Sequence, residues 1–187
     1  MRGKTQYAFL NRIAKSGGIV VWGSTTLAEL PLNELLKNYD VSRYIYNRSI
    51  PGLTLSDAEN YLDACVFGLA PEKVILNLGE ADITDADNIS RLMEQYRWIL
   101  YKIHITLPKC ALIITTIREK SALHKKFNSE LRKLALEFGC TFYTVPNAAD
   151  EEEYGLSFIN AVKISLYDEK LSYSDIAARA VFSVMTH

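Results

Sequence analysis

Five short apolar runs, each followed by a segment of helical periodicity, constrain this chain more than any other feature. The runs are Ile19 to Trp22, Arg43 to Tyr46, Lys73 to Leu78, Cys110 to Thr116 and Thr141 to Val145. They are of strand length, mostly rich in β-branched residues, and near-continuous in apolarity rather than alternating. That pattern predicts strands buried on both faces, as in a parallel sheet sandwiched between helices. The expected architecture is a three-layer α/β/α sandwich. No repeat, low-complexity tract or linker divides residues 1–187, so one domain is expected, with residues 1–17 as an N-terminal helical extension.

The helical segments have readable boundaries. Thr5 to Lys15 carries Tyr7, Phe9, Leu10 and Ile13 and stops at Gly17-Gly18. Leu27 to Tyr39 is helical in pattern but interrupted by Pro31, and Ser56 is placed to cap a helix running to Phe67. A long helix from Asp85 to Ile105 presents Leu92, Tyr96, Ile99 and Ile103 on one stripe and ends before Pro108. Ser121 to Phe138 is amphipathic and ends at Gly139; Ala148 to Tyr167 reads as irregular and acidic; Ser174 to Met185 reads as a closing helix.

Composition narrows the partners. A formal net charge of −1, with no block of basic residues, argues against nucleic acid or an anionic membrane. Met1 to Ser16 lacks the apolar core and cleavage site of a signal peptide, and no apolar run reaches the ~18 residues a membrane span needs. Cys65, Cys110 and Cys140 are odd in number and widely spaced, which predicts reduced, buried thiols and a cytoplasmic protein.

In open parallel sheets ligands bind beyond the carboxyl ends of the strands, near the point where strand order reverses. The loops to inspect are therefore Gly23 to Thr26, Asn47 to Thr54 and Gly79 to Asp82. Gly18 to Thr25 is one residue from a phosphate-binding P-loop, but its lysine is missing and the strand lies between the two glycines. No G-x-S-x-G nucleophile elbow occurs. Gly23-Ser-Thr-Thr26 also resembles the phosphate loop of flavodoxins, yet Leu27-Ala-Glu29 lacks the glycine and threonine expected next, so no cofactor is implied.

Several tempting residues have plainer readings. Asp150-Glu-Glu-Glu153 has no neighbouring histidine and reads as a solvated loop rather than a metal site. Arg118, Lys120, Lys125 and Lys126 read as an exposed helix face, Asp82 with Thr84 as a cap for the long helix, and Trp22 and Trp98 as core. His104, His124 and His187 read as surface or packing residues. Ser24, Thr25 and Thr26 differ, because a hydroxyl-rich turn entering a helix can hold an anion or an acyl oxygen.

Four blocks together resemble the SGNH (GDSL-like) hydrolases: Gly23-Ser-Thr25, Asn47-Arg-Ser-Ile-Pro-Gly-Leu-Thr54, Gly79-Glu-Ala-Asp82 and Leu171-Ser-Tyr-Ser-Asp-Ile-Ala177. They occur in the family's order from Ile19 to Met185. The resemblance implies a flavodoxin-like five-stranded parallel sheet of order 2-1-3-4-5. It also implies that the nucleophilic serine position holds Thr25, preceded by Ser24. Gly52 would offer an oxyanion N–H, and Ala81 stands two residues after Gly79 where the family has its asparagine donor. Asp168 matches the acid. The histidine position falls on Leu171 by strict spacing, or on Ser172 if the family's L-H-x-S is matched.

These departures have chemical consequences. A hydroxyl is a weak nucleophile at neutral pH and needs an adjacent base. The methyl of Thr25 stiffens its side chain. Loss of one oxyanion side-chain donor costs on the order of 10²–10³ in rate. The expectation is a catalytically impaired member that binds a small ester, acyl or sugar ligand, or a protein partner, in the relict cleft. The competing expectation is an active ester hydrolase, a carbohydrate deacetylase or acyl esterase, with Thr25 as nucleophile.

Overall fold

The structure is a computed structural model, and it describes residues 4–39, 41, 43–85, 88–148 and 150–167. Five parallel strands form one sheet: β1 (Ile19–Gly23), β2 (Ile45–Asn47), β3 (Lys73–Asn77), β4 (Ala111–Thr115) and β5 (Thr141–Tyr143), in the order β2-β1-β3-β4-β5. The expected architecture and strand order are both found. Strand order reverses between β1 and β3, so the carboxyl ends of these two strands frame the crevice.

The period of two along each strand sorts the core into two halves. Val20, Trp22, Val74, Leu76 and Ile114 face α1 (Lys4–Asn11), α4 (Leu55–Ala58), α5 (Leu62–Cys65), α6 (Ile89–Thr106) and α7 (Ala122–Glu137). Ile19, Val21, Ile75 and Ile113 face α2 (Thr25–Glu29), α3 (Leu32–Leu35) and α8 (Glu151–Leu166). The stripe predicted on the long helix is buried: Leu92, Tyr96, Ile99 and Ile103 all lie in the core.

Several boundaries differ from expectation. Residues 148–167 are not irregular, because α8 occupies Glu151–Leu166. Its buried stripe of Tyr154, Phe158, Val162 and Leu166 recurs every four residues, and the side chain of Asp150 accepts the Glu153 N–H as N-cap. The acidic start disguised a capped first turn. Thr54, rather than Ser56, caps the next helix by accepting the Asp57 N–H, and the segment to Phe67 breaks into α4 and α5 around a 3₁₀ turn. The expected closing helix from Ser174 to Met185 lies outside the described residues.

The N-terminal helix belongs to the core. Tyr7 is fully buried and donates its hydroxyl to Ser49 O at 2.8 Å, whereas Phe9 and Ile13 are exposed. Asn11 donates to Ala64 O, and its Oδ1 accepts from the Arg48 guanidinium. That guanidinium lies against the Tyr7 and Tyr46 rings, 5.1 and 5.2 Å from their centroids. Thus α1 grips the loop that follows β2.

Candidate functional site

Three loops meet at the carboxyl ends of β1, β2 and β3. Ser24 and Thr25 follow β1 directly, and Thr25 is the first residue of α2. The loop after β2 is tied to β1 by a series of bonds. Arg48 N–H donates to Val21 O, Ile50 N–H to Gly23 O, and Gly23 N–H to Ser49 Oγ at 2.9 Å. Asn47 Nδ2 donates to Leu27 O, and its Oδ1 accepts from Ser49 N–H. The loop then turns at Gly52, whose φ of +71° suits glycine. Its N–H thereby reaches Thr25 Oγ1 at 2.9 Å.

The turn after β3 connects the remaining loops. Gly79, at φ +107°, lies so close to Phe127 that a Cβ there would stand 2.3 Å from the ring. This glycine lets α7 pack directly beneath the turn. Glu80 Oε1 accepts from the Thr26 hydroxyl and from Lys120 Nζ, both at 2.7 Å, and Oε2 accepts from Thr26 N–H at 3.2 Å. Burial pushes the Glu80 carboxyl up, but the bonds from Lys120 and Thr26 outweigh it and hold it below the usual carboxylate range. Ala81 is exposed on the turn. Asp82 accepts the Leu55 N–H at 3.0 Å, so it ties this turn to α4 instead of capping the long helix. Burial raises the Asp82 carboxyl above its usual value, against the pull of that N–H.

Beneath the crevice, Asn77 at the end of β3 donates to Thr115 Oγ1, Thr116 O and the Tyr154 hydroxyl. This buried network joins β3, β4 and the first turn of α8. Ser24 is 1% exposed, and its hydroxyl has no hydrogen-bond partner among the described residues.

The predicted residues Thr25 and Gly52 are therefore brought into contact, with Ser24, Gly79 and Ala81 on the adjoining turns. Asp168, Leu171 and Ser172 lie outside the described residues, as does His187. Lys73, which opens β3 at the opposite end of the sheet from Thr25, donates to Tyr167 O. Of the other histidines, His104 is exposed on α6, and His124 Nδ1 pairs with Ser121 Oγ at 2.8 Å. Burial and the Lys120 charge lower the His124 pKa. Among the described residues, the Thr25 hydroxyl oxygen has one hydrogen-bond partner, the Gly52 N–H.

Sequence reasoning missed Glu80 and Lys120. Glu80 occupies the variable position of a motif, and Lys120 was grouped with an exposed helix face; no local signal announced that they would meet. Trp98 was expected in the core, yet it is 45% exposed and stacks on Tyr101 with ring centroids 5.5 Å apart. Trp22 is buried as expected. Cys65 is buried and Cys110 and Cys140 partly so; all three are free.

No protein-family model matches the sequence, and no curated protein sequence does. Solved structures are similar in shape. One described as a platelet activating factor from Streptococcus pneumonia aligns at TM-score 0.74 and 21% identity, over 88% of this chain and 91% of that one. A GDSL-like lipase from Bacteroides thetaiotaomicron aligns at TM-score 0.69 and 15% identity, over 88% and 97%. The chain has the SGNH-hydrolase fold. An acetylxylan esterase from Geobacillus stearothermophilus shares that fold at TM-score 0.60 and 11% identity, over 83% of this chain and 99% of that one. In this SGNH fold, Thr25, Gly52 and Gly79 stand on the three loops beside the strand-order reversal. No helix among the described residues is long and apolar enough to cross a membrane.

Proposed function

We propose that this protein is a catalytically impaired SGNH-like binder that holds a small ester, acyl or sugar ligand in the crevice beside Thr25 without hydrolysing it. The observation that carries the reading is the pairing of Thr25 Oγ1 with the Gly52 N–H and with no imidazole among the described residues. An alcohol without a base keeps its proton near pH 7, and an N–H donated to it makes its oxygen a poorer nucleophile. Ala81 brings no side-chain donor to a developing oxyanion, and such donors are worth roughly 10²–10³ in rate. The acyl and carbohydrate character of the ligand rests on the similar folds, which include a GDSL-like lipase and an acetylxylan esterase.

A second reading keeps hydrolysis. The 2.9 Å separation of Thr25 Oγ1 and the Gly52 N–H puts an alcohol beside an oxyanion-type donor, so Thr25 would be the nucleophile of a deacetylase or acyl esterase. One pair of measurements separates the two. Turnover of a short-chain nitrophenyl ester is expected to be the same in the wild type and in Thr25→Ala, while acetylated sugars raise the thermal midpoint of the wild type. Turnover abolished by Thr25→Ala would establish the hydrolase and refute the binder.

A further inference from the structure

A groove of about 320 Å³ opens beside Thr26, the residue that follows Thr25 in α2. Leu30, Pro31 and Leu35 form one wall and Leu156 of α8 the other; Glu29 and Glu152 stand on its rim. The groove is a built feature of the α2–α8 junction. Gly155 interrupts the middle of α8, where glycine costs roughly 1 kcal/mol relative to alanine. A Cβ at that position would stand 2.2 Å from Leu30 Cδ1, so the missing side chain is what lets Leu30 seat against the α8 backbone. The volume is at the lower end of the ~300–1,000 Å³ usual for small-molecule sites.

The charges on the rim select the occupant. Glu29 and Glu152 are exposed carboxylates, and neither forms an ion pair or hydrogen bond with another described residue. Glu80, which bonds the lining residue Thr26, is different because it is already paired with Lys120. An apolar trough rimmed by two uncompensated negative charges matches an aliphatic chain that carries a positive head. It repels a free carboxylate or a phosphate, and a neutral chain leaves the charges unanswered.

We propose that the groove binds an aliphatic cation, the chain lying along Leu30, Leu35 and Leu156 and the ammonium head between Glu29 and Glu152. Because the groove adjoins Thr26, the residue after Thr25, this inference rests on the crevice reading above and narrows it. The ligand held beside Thr25 carries a cationic aliphatic portion.

The probe is hexyltrimethylammonium, followed by calorimetry and thermal shift on the full chain. Binding is expected for this cation and not for hexanoate, with affinity falling from hexyl to propyl and falling again as salt is raised. The double variant Glu29→Gln/Glu152→Gln changes only exposed groups and should keep the wild-type melting point without ligand. Its affinity for the cation should drop about tenfold, since each exposed ion contact contributes a factor of a few. Equal binding of hexanoate, no binding of the cation, or an unchanged affinity in the double variant would each overturn the proposal. Acetylated sugars that bind while the cation does not would remove the groove and leave the crevice reading intact. Cation binding by a protein indifferent to every acetylated sugar would support the groove and remove the crevice reading.

Discussion

Replacing Glu80 with glutamine tests how the turn after β3 is tied to the start of α2 and to Lys120. The carboxylate accepts three bonds, two from Thr26 and one from Lys120, and its side chain is 7% exposed while that of Lys120 is 46% exposed. Glutamine keeps one acceptor oxygen and presents an NH₂ in place of the other. Either orientation sets a donor against the Thr26 N–H or against the Lys120 ammonium. One charge-assisted bond becomes neutral, another is lost, and the half-exposed lysine contributes only at the level of a surface pair, ~0.2–1 kcal/mol. The sum is about 2 kcal/mol of destabilisation at pH 7. For a chain of 187 residues that lowers the melting temperature by about 4–8 °C. The pH dependence is the sharper signature. Glu80 is held below its usual pKa, so its stabilisation is present above the unfolded value of about 4.5 and disappears as pH falls through the folded value. Wild type and Glu80→Gln should therefore differ at neutral pH and converge in acid. Asp82 is shifted the other way, and its contribution is lost as pH rises from its usual value through its raised one. Both proteins retain Asp82, so it cancels in the difference. Urea unfolding followed at several pH values reads the comparison. A constant gap between the two proteins from neutral to acid pH would refute the idea that the charge on Glu80 holds this turn in place.

Three further perturbations follow from the same geometry. Gly79→Ala combines a positive φ with a Cβ 2.3 Å from the Phe127 ring, and should cost about 2–5 kcal/mol in urea unfolding. Gly52→Ala has a positive φ but nothing within 4 Å, and should cost about 1–2 kcal/mol; equal losses would contradict the packing argument. Tyr7→Phe removes the buried bond to Ser49 O, for about 1–2 kcal/mol, and should accelerate amide exchange across residues 48–54. Exchange unchanged in that loop would show that α1 does not secure it.

The sheet was legible because its signal is local. Val74, Ile75 and Leu76 of β3 are fully buried, and an unbroken apolar run is what burial on both faces requires. Strand order was implied by the resemblance of the four motif blocks to the SGNH hydrolases, not by a local signal. Several of the failures involve acidic residues, two of which have partners distant in sequence. Asp150 looked like part of a solvated tract because its role, capping α8, depends on a stripe that begins at Tyr154. Asp82 looked like a cap for the helix that follows it, yet the N–H it accepts belongs to Leu55, 27 residues earlier. Glu80 carried no pattern at all, and its partners lie 54 residues before it and 40 after.

That distribution bears on how the crevice works. Thr25 and Gly52 occupy motif positions that sequence alone identified, but their 2.9 Å contact is supported by side chains to which the motifs assign no role. Tyr7 holds the Ser49 carbonyl, Ser49 Oγ holds the end of β1, and Asp82 fixes the start of α4 just beyond the Gly52 turn. Each of these bonds is buried or partly buried, and each spans at least 26 residues of sequence. A scaffold secured in this way keeps its loops in register independently of whether a nucleophile, a base or an oxyanion side chain is present. The machinery of hydrolysis and the rigidity of the cleft are therefore separable properties in this fold. On the reading proposed above, loss of the first would leave a preorganised crevice, which is the condition under which such a site can bind a ligand without an ordering penalty.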